Sequence, residues 1–366
     1  MIALPLLSVM TAAIVLAMSR PYADAARPPS WLALGAGALM GAVLRGAVDP
    51  AALIDAMRPA AALAAGWMAL CAAEGWRGSR PLRPAAGSIS RLLVPATAVG
   101  VLTLLSGGSA AWPAALLAAG ASMALDPAAA RLHLQGTTHP SPTARRTPAV
   151  VALAGAMALG ASVIPFSLAL SDGGAGVDPL NALARAALCL GLGAAAGVIA
   201  AGLMRLAQGR AAMFALLVPL PLLMCGAAGL MGAPALPAIF MAGLIVARDV
   251  ARRDLLSTVI TEVEMPMNVM AMMLLGALLA TASSWPQGGL MLAATIAVSL
   301  ALAALVAGRA VAPATSLLLP LSPLVAAMAL EAAAWSLPAA CGLAVGMAGG
   351  EILWLIRGRM AGARHA

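Results

Sequence analysis

Residues 112–130 read WPAALLAAGASMALDPAAA, an apolar run long enough to cross a bilayer that ends in a carboxylate followed by proline. About 20 such residues in a helix span the roughly 30 Å of hydrocarbon in a membrane. Asp126 and Pro127 break the pattern near one end. A charge and a helix breaker at that depth are costly and mark function or a broken helix.

The same kind of run recurs throughout the chain. Apolar stretches fall near 1–19, 30–47, 52–75, 90–107, 111–130, 148–171, 180–204, 211–230, 233–248, 260–282, 287–307, 312–335 and 338–356. Hydrophobic residues make up 63% of the 366 positions and charged residues 9%, too little polar surface to cover a soluble core of this size. Strands of alternating polarity are absent, which excludes a β-barrel. The expectation is an all-α polytopic membrane protein of about thirteen transmembrane helices, with no soluble domain. The first segment has no basic leading region and no small-residue cleavage site, so it reads as a retained helix.

Charge sets the orientation. The net charge is +8 and all 21 basic residues are arginine. An N-terminus outside and a C-terminus inside put eighteen arginines on the cytoplasmic side, leaving Arg45, Arg58 and Arg185 outside. That asymmetry assigns the basic charge to topology; aromatic content is 3% and no long basic run occurs, so nucleic acid is not an expected partner. The longest loop, 131–147 (RLHLQGTTHPSPTARRT), is polar and cytoplasmic, and its two histidines read as solvated. Cys71, Cys189, Cys225 and Cys341 each lie in an apolar run without metal-type or disulfide spacing and read as packing residues. No metal site or cofactor is expected. Histidine occurs only at 133, 139 and 365, and no acidic or histidine cluster suits a membrane enzyme.

A second interrupted run, PATSLLLPLSPLVAAMALEAAAW (313–335), carries Pro320 and Pro323 with Glu331 beyond them. If spans 1–6 and 8–13 are inverted six-helix repeats, these two broken helices occupy equivalent places, the pattern that points to a transporter's midplane site. The repeats would cover 1–171 and 211–357, with 180–204 as a linker helix and 358–366 as a cytoplasmic tail. Glu262 and Glu264 precede Pro266 at the start of the tenth span, where the helix dipole or a cation-attracting mouth would each explain them. Glu351, midway along the last span, requires an arginine partner or a cavity.

Several of these stretches together resemble the monovalent cation/proton antiporter superfamily. GLMGAPALPAIFMAGLIVAR (229–248) is similar to that family's small-residue segment ending in Phe and Ala-Gly-Leu. EVEMPMNVMAMMLLGALL (262–279), with Pro266 and Gly276, resembles the helix that follows it. SMALDPAAA (122–130) resembles the Thr-Asp-Pro motif of the broken fifth helix, with Leu125 replacing Thr, and LLLPLSPLVAAMALEAA (317–333) resembles the second broken helix. The chain departs from the family in the sixth span, VVALAGAMALGASVIPFSLAL (150–170), where Ala161 and Ser162 replace the acidic pair.

The resemblance implies a secondary transporter, not an enzyme, exchanging Na⁺ or K⁺ for protons, and a homodimer. The Ala, Arg and Gly bias without lysine reads as that of a GC-rich bacterial genome, which puts the expected location in the inner membrane. Asp126 would then be the ion ligand or proton carrier, with Ser122 and Ser162 as neutral oxygen ligands. Arg309 would stand for the family's basic residue in the eleventh span. The alternative is a degenerate antiporter-fold protein without proton coupling, acting as an uncoupled transporter or as a scaffold or regulatory subunit of a membrane complex.

Overall fold

A computed structural model of the chain describes residues 30–44, 50–77, 86–107, 111–126, 147–169, 179–207, 209–249, 253–281, 289–311, 321–333 and 335–362. Among these residues the secondary structure is helical, apart from one isolated β-bridge. The helices are α1 (Ser30–Leu44), α2 (Pro50–Arg77), α3 (Ala86–Gly107), α4 (Trp112–Met123), α5 (Thr147–Ala169) and α6 (Pro179–Leu206). After them come α7 (Arg210–Met231, in two segments that meet at Val218), α8 (Ala235–Asp249), α9 (Arg253–Thr281), α10 (Gly289–Val311), α11 (Leu324–Ala332) and α12 (Leu337–Gly362). One helix therefore lies in each expected span from the second to the thirteenth. The first, 1–19, falls outside the described residues.

Five of these helices are long and apolar enough to cross a membrane on their own. The burial pattern agrees with a lipid surround. Leu230 is 92% exposed, Leu105 77% and Leu180 76%, whereas Asp126 and Ser162 are buried. Water would penalise so many exposed leucines, while hydrocarbon does not. The protein is thus a helical protein with the apolar helices of a membrane protein.

Local sequence explains the element ends. Gly232 terminates α7 with φ 61°, a left-handed conformation that glycine adopts without Cβ strain. Ala233 N–H then closes onto the Ala228 carbonyl at 2.9 Å, satisfying the last turn in the manner of a Schellman cap. The α4 helix opens on Trp112 and Pro113, where a missing N–H costs nothing.

The fifth span is interrupted at Ala124, after α4 stops at Met123. Within the twelfth span, Pro323 is the N-cap of α11, directly after the break at Leu321 and Ser322. Two expected boundaries are corrected. The tenth begins at Arg253 and not near 260, so α9 runs through the charged stretch. Finally, α12 runs through Arg357 and Arg359 to Gly362, so most of the expected tail is helical.

Small residues let the helices approach closely. On the α1–α9 seam a Cβ added at Gly276 would run into the Leu34 carbonyl oxygen, and one at Gly37 into that of Met273. Backbones in such contact are the usual mode of helix association in membranes. The α8 helix packs against α6 and α2, α10 against α12 and α3, and α4 against α3 and α5. Trp67 is wholly buried on α2 and donates its indole N–H to the Ile260 carbonyl of α9 at 3.3 Å.

Candidate functional site

The α4 helix ends where Ala124 leaves helical geometry, with ψ of 77°. Breaking a helix frees carbonyl and N–H groups that hydrocarbon cannot satisfy. The chain resolves this by pairing two breaks. Leu125 and Leu321 form an antiparallel bridge, and Ser322 N–H donates to the Ala124 carbonyl at 2.7 Å. Pro323 then starts α11, so the two interruptions meet although nearly 200 residues separate them.

Of the residues expected at an ion site, Asp126 and Ser122 belong to this junction and the helix that leads into it, while Ser162 lies on α5, which packs against α4. Asp126 lies one residue beyond the bridge and is 5% exposed. Ser122 and Ser162 are fully enclosed. Each donates its hydroxyl to its own helix at 2.7 Å, Ser122 to Ala119 and Ser162 to Leu159. Those bonds use the hydroxyl protons and leave oxygen lone pairs able to meet a cation. The α4 and α5 helices run close, since a Cβ at Gly120 would sit 3.3 Å from the Ala158 carbonyl oxygen. Pro127 and Pro320 lie outside the described residues.

Glu351 joins this region from α12. It lies within electrostatic reach of Asp126 and accepts the backbone N–H of Ser30 at the start of α1. A backbone N–H at a helix N-terminus meets this carboxylate, a partner the sequence did not point to. The signal was visible only as a mid-span charge, because its partner is 321 residues away.

The accessory residues separate. Glu331, near the end of α11, is half-buried and accepts the N–H groups of Ala235 at 2.8 Å and Leu236 at 3.0 Å. It thereby caps the first turn of α8, the role an N-cap carboxylate fills. Glu262 forms an ion pair with Arg210, both side chains more than half exposed. It lies more than two turns inside α9, so the expected first-turn dipole effect does not apply to it or to Glu264. Glu264 is half-buried. Arg309 falls in the last turn of α10. Cys189 and Cys225 direct their sulfurs at the carbonyls of Pro234 and Ala62. Histidines 133 and 139 lie outside the described residues.

No protein-family model matches this chain, and no curated protein matches it significantly.

Proposed function

We propose that this chain is a secondary transporter that exchanges Na⁺ or K⁺ for protons, built on the inverted-repeat plan of the cation/proton antiporters. The observation that carries the reading is the paired break, with Asp126 one residue beyond it. A broken helix pair presents unwound backbone oxygens next to a carboxylate, the combination that secondary transporters use to hold cations. Asp126 would alternate between proton and cation, with the Ser122 and Ser162 oxygens completing the shell. One titratable ligand gives a simple exchange ratio.

The helix pairings lend support. The α1–α9 contact joins expected spans 2 and 10, and the α8–α2 contact joins spans 9 and 3, the mirrored pairing that inverted repeats require. We place the protein in a bacterial inner membrane as a homodimer, with the N-terminus outside and the C-terminus in the cytoplasm.

One observation favours the second reading, a fold relative without proton coupling. The α5 helix carries no carboxylate, and the Ser162 hydroxyl, where an acidic side chain would be needed, bonds to its own helix. The test is dissipation of a pH gradient in proteoliposomes on addition of Na⁺, K⁺ and Li⁺ in turn. Exchange that disappears in Asp126→Asn is the expected result. Exchange retained in that variant overturns the site. No exchange from folded wild-type protein favours the uncoupled or scaffold reading.

A further inference from the structure

A cavity of about 140 Å³ lies between α2, α7, α8 and α11, well away in sequence from the Asp126 break. Its walls include Ala61, Ala65 and Gly66 of α2, Cys225 of α7 and Ile239 of α8, and Glu331 is the charged group lining it among the described residues. We propose that this cavity binds a small amphipathic organic cation, with Glu331 as its counter-ion. The proposal does not rest on cation/proton exchange.

Size sets the first limit. An apolar cavity of about 150 Å³ takes a benzene-sized molecule. The alanine lining keeps the space open where larger side chains would close it, and a void unfilled on one side forfeits dispersion contacts there. A single aromatic ring or short alkyl chain fits the available volume.

Charge sets the second. Each Glu331 oxygen accepts one backbone N–H, from Ala235 or Leu236. A carboxylate offers about four lone-pair positions, so about two remain for a further donor on this lining residue. An alkali ion would want several hard oxygen ligands, yet the other walls are hydrocarbon and one thiol, whose sulfur faces the Ala62 carbonyl. An ammonium group satisfies the open positions with N–H donors, while its apolar body meets the alanine and isoleucine wall. Each half of an amphipathic cation thus finds its complement, which neither a bare metal ion nor a neutral hydrocarbon does.

The probe is radiolabelled benzylammonium, measured by scintillation proximity on the purified full chain in detergent. Wild-type protein is expected to bind it saturably at one site per chain. Unlabelled benzylammonium should displace it, while benzyl alcohol and NaCl at the same concentrations should not. Glu331→Gln is expected to weaken binding at least tenfold. Because that variant also weakens the cap of α8, Ala61→Leu is measured beside it; it fills the cavity, leaves the carboxylate in place and should abolish binding. Absence of saturable binding to wild type overturns the proposal, as does wild-type affinity in either folded variant. Equal displacement by benzyl alcohol would reduce the site to an apolar hole, and equal displacement by NaCl would make it an alkali-ion site. Either result overturns the organic-cation assignment.

Discussion

Each of the two helix breaks is associated with a carboxylate, and the two carboxylates are used differently. Asp126 follows the first break immediately, buried next to the bridge between Leu125 and Leu321. Glu331 stands eight residues past Pro323, at the far end of the half-helix that the second break begins, where it holds the N-terminus of α8. One acid lies where backbone is unwound; the other is committed to two N–H groups of an intact helix. The difference teaches that charge inside an apolar bundle has two stable solutions. A helix N-terminus supplies fixed partial charge and converts the acid into a strut, whereas a break surrounds the acid with unwound backbone.

The largest effect expected from this comparison is covalent. If the breaks face each other, Leu125→Cys combined with Leu321→Cys, with the four native cysteines replaced by alanine, should form a disulfide nearly quantitatively on mild oxidation. Directly opposed residues of an antiparallel pair lie about 4.5–5.5 Å apart at Cα, within the range a disulfide bridges. Failure of the pair to cross-link in folded protein would separate the breaks and remove the basis for a shared ion site.

Next in size is the strut. Glu331→Ala leaves two N–H groups without their acceptor, at a cost of about 1–3 kcal/mol for each one that stays buried. Glu331→Gln keeps one acceptor oxygen and should lose about half as much. Asp126→Asn retains shape and an acceptor oxygen, so it should unfold close to wild type while losing exchange. Thermal unfolding in a single detergent measures all three. A melting temperature lowered more by Asp126→Asn than by Glu331→Ala would reverse the roles assigned to the two acids.

Sequence made much of this architecture legible, for local reasons. The interruption after α4 follows from Asp126 and Pro127, because a proline acts through its own backbone. The turn separating the last two spans shows in Trp335 to Pro338, where α11 ends and α12 begins. The partner of each carboxylate was not legible. Glu351 meets Ser30 across 321 residues, and Glu331 meets Ala235 across 96, so no window of sequence contains both members. The start of α9 was obscured for another reason. Its first turns, RDLLSTVITEVE, carry enough polar and charged residues to read as a loop when apolarity is the guide.

That polar opening of α9 supplies the smallest effect and a third use of charge, to set against the two breaks. Glu262 pairs with Arg210 while both side chains remain more than half exposed. Exposed ion pairs contribute about 0–1 kcal/mol, because solvent screens the attraction and two long side chains lose freedom on pairing. Glu262→Gln should therefore shift unfolding by no more than about 0.5 kcal/mol and leave exchange within twofold, provided ionic strength is near physiological. The mouth reading, in which Glu262 concentrates cations before they reach the break, makes a different demand. Long-range attraction acts on the rate of encounter and fades as salt screens it. Exchange by Glu262→Gln and wild type compared between 10 mM and 300 mM salt separates the two. A deficit that appears only at low salt assigns Glu262 to ion attraction, and equal rates at both concentrations leave it as a surface pair between α7 and α9.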